Sequence, residues 1–453
     1  MDDRTRRLGE LDKRYVWHPF TQMKEYERSK PIVIEKGEGV YLIDTKGNRY
    51  IDGVSSLWVT IHGHRVAEID DAIRRQLDNI GHSTLLGVAN PPSVELAEKL
   101  ISLCPPPLAK VFYSGDGASA VEVALKMAYQ YWLHKGESRR TKFVSLDNGY
   151  HGDTLGAVAV GGIDLFHAAF RPLLFETLRA PSYYCYRCPL GLEHPSCEVA
   201  CADALGSILE EHAHEVAAVI LEPYVQAAGG MIVSPPGYLK KVRQYCDHYG
   251  VLLILDEVAT GFGRTGAMFA CEHEEVAPDI LVLGKGLTGG YLPLSATIVT
   301  ERIYEAFLGD YEEFKTFFHG HSYAGNPLAC AAALGNLEAF RNRRTLESLP
   351  PKISLLEEEL REFQGLEHVG DVRFKGLMVG IELVEDKPSK RPYPPEAKIG
   401  WKVAEHALEE GVLIRPLGNV VVLMPPLGIE EDELRRLLRV TYRSIVKATE
   451  EGG

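Results

Sequence analysis

An α/β protein with a mostly parallel sheet, followed by a smaller α+β domain, is the fold class this sequence predicts. Three observations predict it. From about residue 110, short apolar runs (KVFYS, KFVSL, AAVILE, VLLILDE, ILVLG, SATIVT) alternate with segments of helical periodicity. Those runs are continuously apolar, the mark of strands buried on both faces of a parallel sheet. After about residue 325 the order changes to a long helical stretch and then helix, two strands and helix, a segregated pattern.

The elements follow in chain order. KGEGVYLIDTKGNRYID reads as short strands around a Thr45-Lys46-Gly47-Asn48 turn, packing on the C-terminal part or on a partner subunit. SAVEVALKMAYQYWLHKG, residues 119–136, reads as a helix stopped by Gly136, and PPGYLKKVRQYCDHYG as one opened by prolines and ended by Gly250. Near the end, AKIGWKVAEHALEEG is a helix, VLIRP and VVVLMPP are strands, and EEDELRRLLRVTYRSIVKATEE is a helix. The expected division is an N-terminal segment over 1–60, a large domain over 61–328 and a small α+β domain over 329–453.

With 453 residues, 45% hydrophobic and 25% charged, the chain has the composition of an ordinary globular protein with a large core. Its net charge of −14 argues against a nucleic-acid backbone or an anionic membrane as partner. No apolar run approaches the roughly 20 residues of a membrane span. MDDRTRRLGELDKRY has no apolar signal core, so a cytoplasmic location is expected. Four of the eight cysteines, Cys185, Cys188, Cys197 and Cys201, form a C-x2-C-x8-C-x3-C array. The spacing is compatible with a structural metal or disulfides, or with a surface insertion carrying reduced thiols. No metal ligand is assigned.

The chemistry centres on DILVLGKGLTGG. Lys285 ends a buried apolar run and stands between Gly284 and Gly286. Burial disfavours the charged ammonium and turns the amine into a nucleophile toward carbonyls. The flanking glycines clear space for a flat ring held there. On local context Lys285 is either such a Schiff-base lysine or a snorkelling side chain at a strand end. Twenty-nine residues earlier, VLLILD ends in Asp256, an acid at the carboxyl end of a strand, where α/β sheets bind ligands. A pyridoxal ring needs a carboxylate on its nitrogen, though a helix cap or a core acid fits the local pattern equally. GFGRTG, Gly261 to Gly266, matches G-x-G-x-x-G, but its distance from the preceding strand and the lack of a patterned helix after it argue against a dinucleotide site. YSGDGASAVEVALKMA passes through Gly115 and Gly117 into a long helix, a turn suited to an anion. In DNGYHGDTLGA, Tyr150 and His151 follow another strand, where an aromatic stacks on a flat cofactor or packs in the core.

Together these segments resemble the class III pyridoxal-phosphate aminotransferases of fold type I. LDEVATGFGRTG matches that family's stretch around the ring acid, PDILVLGKGLTGGYLPLSA its lysine motif, and HGHSYAGNPLACAAAL its phosphate-side motif. WHPFTQM, DGVSSLWVTIHGH, NGYHGDT, FACEHEEVAPDI and LIRPLGNVVVLMPP are similar to the branch that aminates 8-amino-7-oxononanoate in biotin formation. The likeness runs from Trp17 to about residue 445.

The resemblance implies a large domain with a mostly parallel seven-stranded sheet flanked by helices, and pyridoxal 5'-phosphate as cofactor. Lys285 then holds the cofactor and shuttles the proton, Asp256 holds the pyridine nitrogen, Val258 packs on the ring, and Tyr150 stacks on its other face and meets substrate. Gly117 and Ala118 cover the phosphate, and His321 and Ser322 reach it from the neighbouring subunit of a homodimer with active sites at the interface. Arg415 binds a substrate carboxylate as a planar fork, and Gly320 lines the substrate channel. The chain departs from the best-known members at Phe20 (tyrosine there), Leu57 (tryptophan) and Ala118 (serine). Backbone N–H groups make good the loss at Ala118. Phe20 and Leu57 line the pocket of the amino donor, and losing a hydroxyl and an aromatic wall there favours lysine over the bulkier S-adenosylmethionine. HGHRVAEIDDAIRRQL, HSTLLG and KTFFHGHSY also resemble the lysine-using branch. The rival readings are a general ω-amino-acid:pyruvate aminotransferase, or a mutase with the same cofactor logic, and a non-catalytic cofactor-binding regulator or scaffold. The acidic chain and the retained Lys285 and Asp256 speak against the second.

Overall fold

The computed structural model describes residues 3–450. Its centre is a seven-stranded sheet in the order Leu108–Ser114, Ser295–Thr300, Ile280–Leu283, Leu252–Asp256, Val216–Leu221, Lys142–Leu146, Leu178–Ala180. Ser295–Thr300 runs antiparallel to both neighbours, and the other pairings are parallel. Every residue of Val216–Leu221, Leu252–Asp256 and Ile280–Leu283 is buried, which is why these strands read as unbroken apolar runs. The seventh strand, Leu178–Ala180, lies at an edge and has only three residues, too few to show a period in sequence.

Helix Gly117–His134 lies against the sheet and is capped by Asp116, whose carboxylate accepts from Ser119 N at 2.9 Å. Tyr238–Tyr249 ends at Gly250, which takes the left-handed conformation expected of a glycine stop. GFGRTG forms turns leading to a 3-10 segment, Ala270–Glu274, and opens no helix. Its Arg264 is buried, donating to Thr60 O at 2.9 Å and Pro425 O at 2.8 Å.

A second sheet is antiparallel, in the order Val369–Lys375, Met378–Asp386, Val420–Leu423, Arg415–Leu417, with Arg391–Pro392 paired to Met378–Asp386. The first two strands form a hairpin that the sequence pattern does not reveal. Gly376 makes its turn at φ +60, where an added Cβ would strike the Arg264 carbonyl oxygen. The N-terminal strands Ile34–Glu38, Tyr41–Asp44 and Arg49–Asp52 form a meander, and Val412–Leu413 adds to it in parallel. The N-terminal and C-terminal parts of the chain are thus tied together.

The eight cysteines are unbonded thiols. The four of the array line a cavity of about 20 Å³ in the segment between Leu178–Ala180 and Ala200–His212. Among the described residues no three His, Cys, Asp or Glu side chains are grouped to hold a metal, and no helix is long and apolar enough to cross a membrane.

Candidate active site

The parallel strands open at their carboxyl ends into a cavity of about 720 Å³. Its walls are the segments that leave those strands, as expected for ligand sites in α/β sheets. Gly115, Gly117 and Ala118 follow Leu108–Ser114, Tyr150 follows Lys142–Leu146, Asp256 and Val258 close Leu252–Asp256, and Lys285 follows Ile280–Leu283.

Lys285 opens a 3-10 turn, Lys285–Thr288, with φ +41, a left-handed conformation that strains a residue with a side chain. Its Nζ lies 5.2 Å from the centroid of the Trp58 ring. Enclosure lowers the lysine pKa below its ordinary value, and the nearby Asp256 and Glu222 carboxylates oppose that shift. Of its flanking glycines, Gly284 packs at Val258: a Cβ there would stand 3.3 Å from Val258 Cγ1. Gly286 plays a different part from the one expected. A Cβ there would meet Ile61 at 2.9 Å and Phe262 at 3.0 Å, so it serves core packing and clears no space in the cavity.

Asp256 is buried and doubly held: Oδ2 lies 2.7 Å from His151 Nδ1, and Oδ1 accepts from Val258 N at 3.0 Å. Tyr150 donates its phenol to Asp153 at 2.7 Å and its backbone N–H to Glu222 at 3.1 Å. Burial, then the Asp153 carboxylate, pushes the phenol far above the usual tyrosine range. Gly117 lies against Val258, where a Cβ would come to 2.7 Å of Cγ1, and a Cβ at Gly152 would collide with Ala118. A long helix start opened by small residues, a buried acid at a strand end and an enclosed lysine fit a flat, phosphorylated pyridine with a carbonyl carbon.

The remaining predicted residues stand outside the lining of this cavity in the single chain. Arg415 donates to Phe20 O at 3.2 Å; the Phe20 ring is 5.3 Å from Phe166, which is 6.3 Å from Tyr150. Phe20 thus reaches Tyr150 through one intervening aromatic, Phe166, and Arg415 is attached to Phe20 at its backbone carbonyl. Leu57 is half exposed in a turn, Ser55–Trp58, whose residues all take positive φ. Gly320 and Ser322 are exposed. His321 lies beside Gly115 of its own chain, 3.5 Å from where a Cβ would stand.

Sequence reasoning does not find Trp58, Glu222 or Asp153. Glu222 follows AAVIL just as Asp256 closes LLILD, so the same signal is present twice. Trp58 carries no signal, because the left-handed turn that aims it at Lys285 is set by distant contacts.

A model of the family "Aminotransferase class-III" matches residues 22–445. The chain is 53% identical over 446 residues to adenosylmethionine-8-amino-7-oxononanoate aminotransferase of Geobacter sulfurreducens, covering 98% of each chain. It is 54% identical over 449 residues to the protein of that name from Anoxybacillus flavithermus, covering 98% of this chain and 97% of that one. The crystal structure of the Methanocaldococcus jannaschii protein of that name superposes with a TM-score of 0.94 at 52% identity, over 98% of this chain and 99% of that one. An omega transaminase from Pseudomonas jessenii, solved in complex with PMP, superposes with a TM-score of 0.93 at 33% identity over 98% of both chains. The chain belongs to the class-III aminotransferases, enzymes of the pyridoxal-phosphate-dependent fold type I.

Proposed function

We propose that this enzyme transfers an amino group to the ketone of 8-amino-7-oxononanoate, giving 7,8-diaminononanoate for biotin formation. The reaction class is carried by one observation: the Lys285 amine, its proton affinity lowered by enclosure, shares a cavity with the buried Asp256 carboxylate. The substrate is supported by relatives named for it that match nearly the whole chain.

When bound, pyridoxal phosphate supplies an electron sink for the carbon that gains or loses the amino group. Lys285, Asp256, Val258, Tyr150, Gly117 and Ala118 would hold it. Asp256, kept in place by His151 and Val258 N, would hold the ring nitrogen with its carboxylate. Lys285 takes and returns a proton at the substrate carbon, and enclosure, by lowering the amine's pKa, favours the unprotonated base this needs. Asp116 already caps Ser119 N, so the Gly117 and Ala118 amides ahead of it are left for the phosphate. Arg415 presents its fork to the substrate carboxylate, and Gly320 borders the path. In the proposed homodimer, His321 and Ser322 complete the phosphate end of the partner's site. The division at 1–60, 61–328 and 329–453 and a cytoplasmic location belong to the same proposal.

Lysine is the proposed donor. The Phe20 ring, set edge-on to Phe166, carries no hydroxyl, and half-exposed Leu57 offers no aromatic wall. The relatives' printed names favour S-adenosylmethionine instead. Lys285→Ala tests the reaction class: turnover should fall by about a thousandfold or more while the protein still binds cofactor. Turnover within about tenfold of wild type would sink the assignment.

A further inference from the structure

The cavity floor holds an acid that the reaction does not use directly. Glu222 follows Val216–Leu221 and is 4% exposed. Each of its carboxylate oxygens is taken by a backbone N–H: Oε2 accepts from Tyr150 N at 3.1 Å, and Oε1 from Ala227 N at 3.0 Å. Tyr150 and Ala227 belong to separate segments of the cavity wall. The Glu222 backbone is held as well, because Tyr183 donates its phenol to the Glu222 carbonyl at 2.9 Å. One buried carboxylate therefore clamps two walls of the site.

We propose that Glu222 is a positioning residue: its ionised carboxylate fixes the Tyr150 and Ala227 walls, so that the hold on the bound cofactor follows the ionisation of Glu222. The inference rests on the cofactor site proposed above. The ionised form receives both N–H groups as strong, charge-assisted acceptors. A proton on either oxygen removes the charge and leaves that oxygen a weaker, hydroxyl acceptor, so one clamp is loosened. The titratable groups around it are Asp256, His151, Lys285, Tyr150 and Tyr183. Burial pushes the Glu222 pKa up to about 7; Asp256 adds to that, and His151 and the two N–H groups oppose it. The clamp therefore closes as pH rises through neutrality and opens as pH falls below it.

The test is the dichroism that the bound ring acquires from its asymmetric surroundings, normalised to cofactor bound. It is read for wild type, Glu222→Asp and Glu222→Gln from about pH 5.5 to about pH 9, a range that runs from above the ordinary carboxylate values to well above the ordinary histidine value. Wild type should lose signal below about pH 7, where Glu222 protonates. Glu222→Asp should keep a step, because it keeps the charge. Glu222→Gln should be flat across that window and should bind cofactor about tenfold more weakly at high pH, the loss of one charge-assisted hydrogen bond. A wild-type signal without a step, or a glutamine variant with the wild-type step and affinity, overturns the inference. Wild type that binds no pyridoxal phosphate at all overturns the underlying site reading with it, so the two failures are told apart.

Discussion

His151 Nδ1 lies 2.7 Å from Asp256 Oδ2, both side chains are closed off from solvent, and the other ring nitrogen of His151 has no hydrogen-bond partner among the described residues. The imidazole therefore hydrogen-bonds one carboxylate alone, that of Asp256. Without it Asp256 keeps a single bond, from Val258 N, and is free to turn away from the cavity. His151→Ala should weaken cofactor binding by about 2 kcal/mol, the loss of a hydrogen bond to a buried charged group. His151→Asn, which can still donate, should recover part of it. Titration of apoprotein with pyridoxal phosphate checks both.

Gly117 and Val258 form a tight contact under the proposed phosphate site. A Cβ at Gly117 would stand 2.7 Å from Val258 Cγ1 and 3.1 Å from Cγ2. Gly117→Ala should cost about 1–3 kcal/mol by overpacking, seen as a lower Tm and weaker cofactor binding. Adding Val258→Ala removes the atoms it strikes, so the double variant should regain stability relative to Gly117→Ala. Additive losses would show that the contact is not the cause.

Arg415 spends one N–H on Phe20 O, and under the proposed function the rest of its fork binds the substrate carboxylate. Burial lowers its pKa from the usual guanidinium value, which leaves it charged throughout the working range. Arg415→Ala should raise KM for the keto acid about tenfold to a hundredfold with little change in kcat, because the carboxylate lies far from the reacting ketone. Arg415→Lys should recover only part, having no planar fork. Steady-state kinetics separates the two parameters.

Much of the cavity is legible in the amino-acid sequence. Lys285, Asp256, Gly117, Ala118, Tyr150 and Val258 each follow or close a strand of strong apolar pattern, and the topology of a parallel sheet brings such positions to one edge. The hairpin Val369–Lys375 and Met378–Asp386 is hidden because its strands mix charged with apolar residues and its turn is set by Arg264. The turn at Ser55–Trp58 is hidden for another reason. Ser55 Oγ donates to Met424 O at 2.7 Å, from 369 residues away, and Asp52 accepts from Ser56 N at 2.8 Å. The long-range contact to Met424 leaves no periodic trace. Glu222 is different again: it carries the same strand-end signal as Asp256, but that signal alone does not separate an acid facing the ring from one clamping the wall.

His62 gives the fold a pH dependence of known sign. Its ring sits between Asn336 O and Thr345 Oγ1, each at 3.3 Å, and edge-on to Phe340. Burial, aided by Arg343, pushes its pKa down to about 4. Above about pH 6.5 the ring is neutral in folded and unfolded chains alike and its contribution is intact. As pH falls from about 6.5 to about 4, the unfolded chain takes up a proton that the fold refuses, and as much as about 3 kcal/mol is lost. Denaturant melts of wild type and His62→Gln across that window should show a shallower slope in the variant.

At the centre stands the proposal that this enzyme aminates 8-amino-7-oxononanoate with nitrogen from lysine. The most direct measurement supplies cofactor-loaded protein with that keto acid and lysine labelled with nitrogen-15, and in parallel with S-adenosylmethionine, and reads 7,8-diaminononanoate by mass spectrometry. Labelled diamine from the lysine reaction is the predicted result. Diamine from S-adenosylmethionine alone would overturn the donor and keep the reaction. No diamine with either donor, beside brisk transfer from β-alanine to pyruvate, would contradict the proposal and make the enzyme a general ω-aminotransferase.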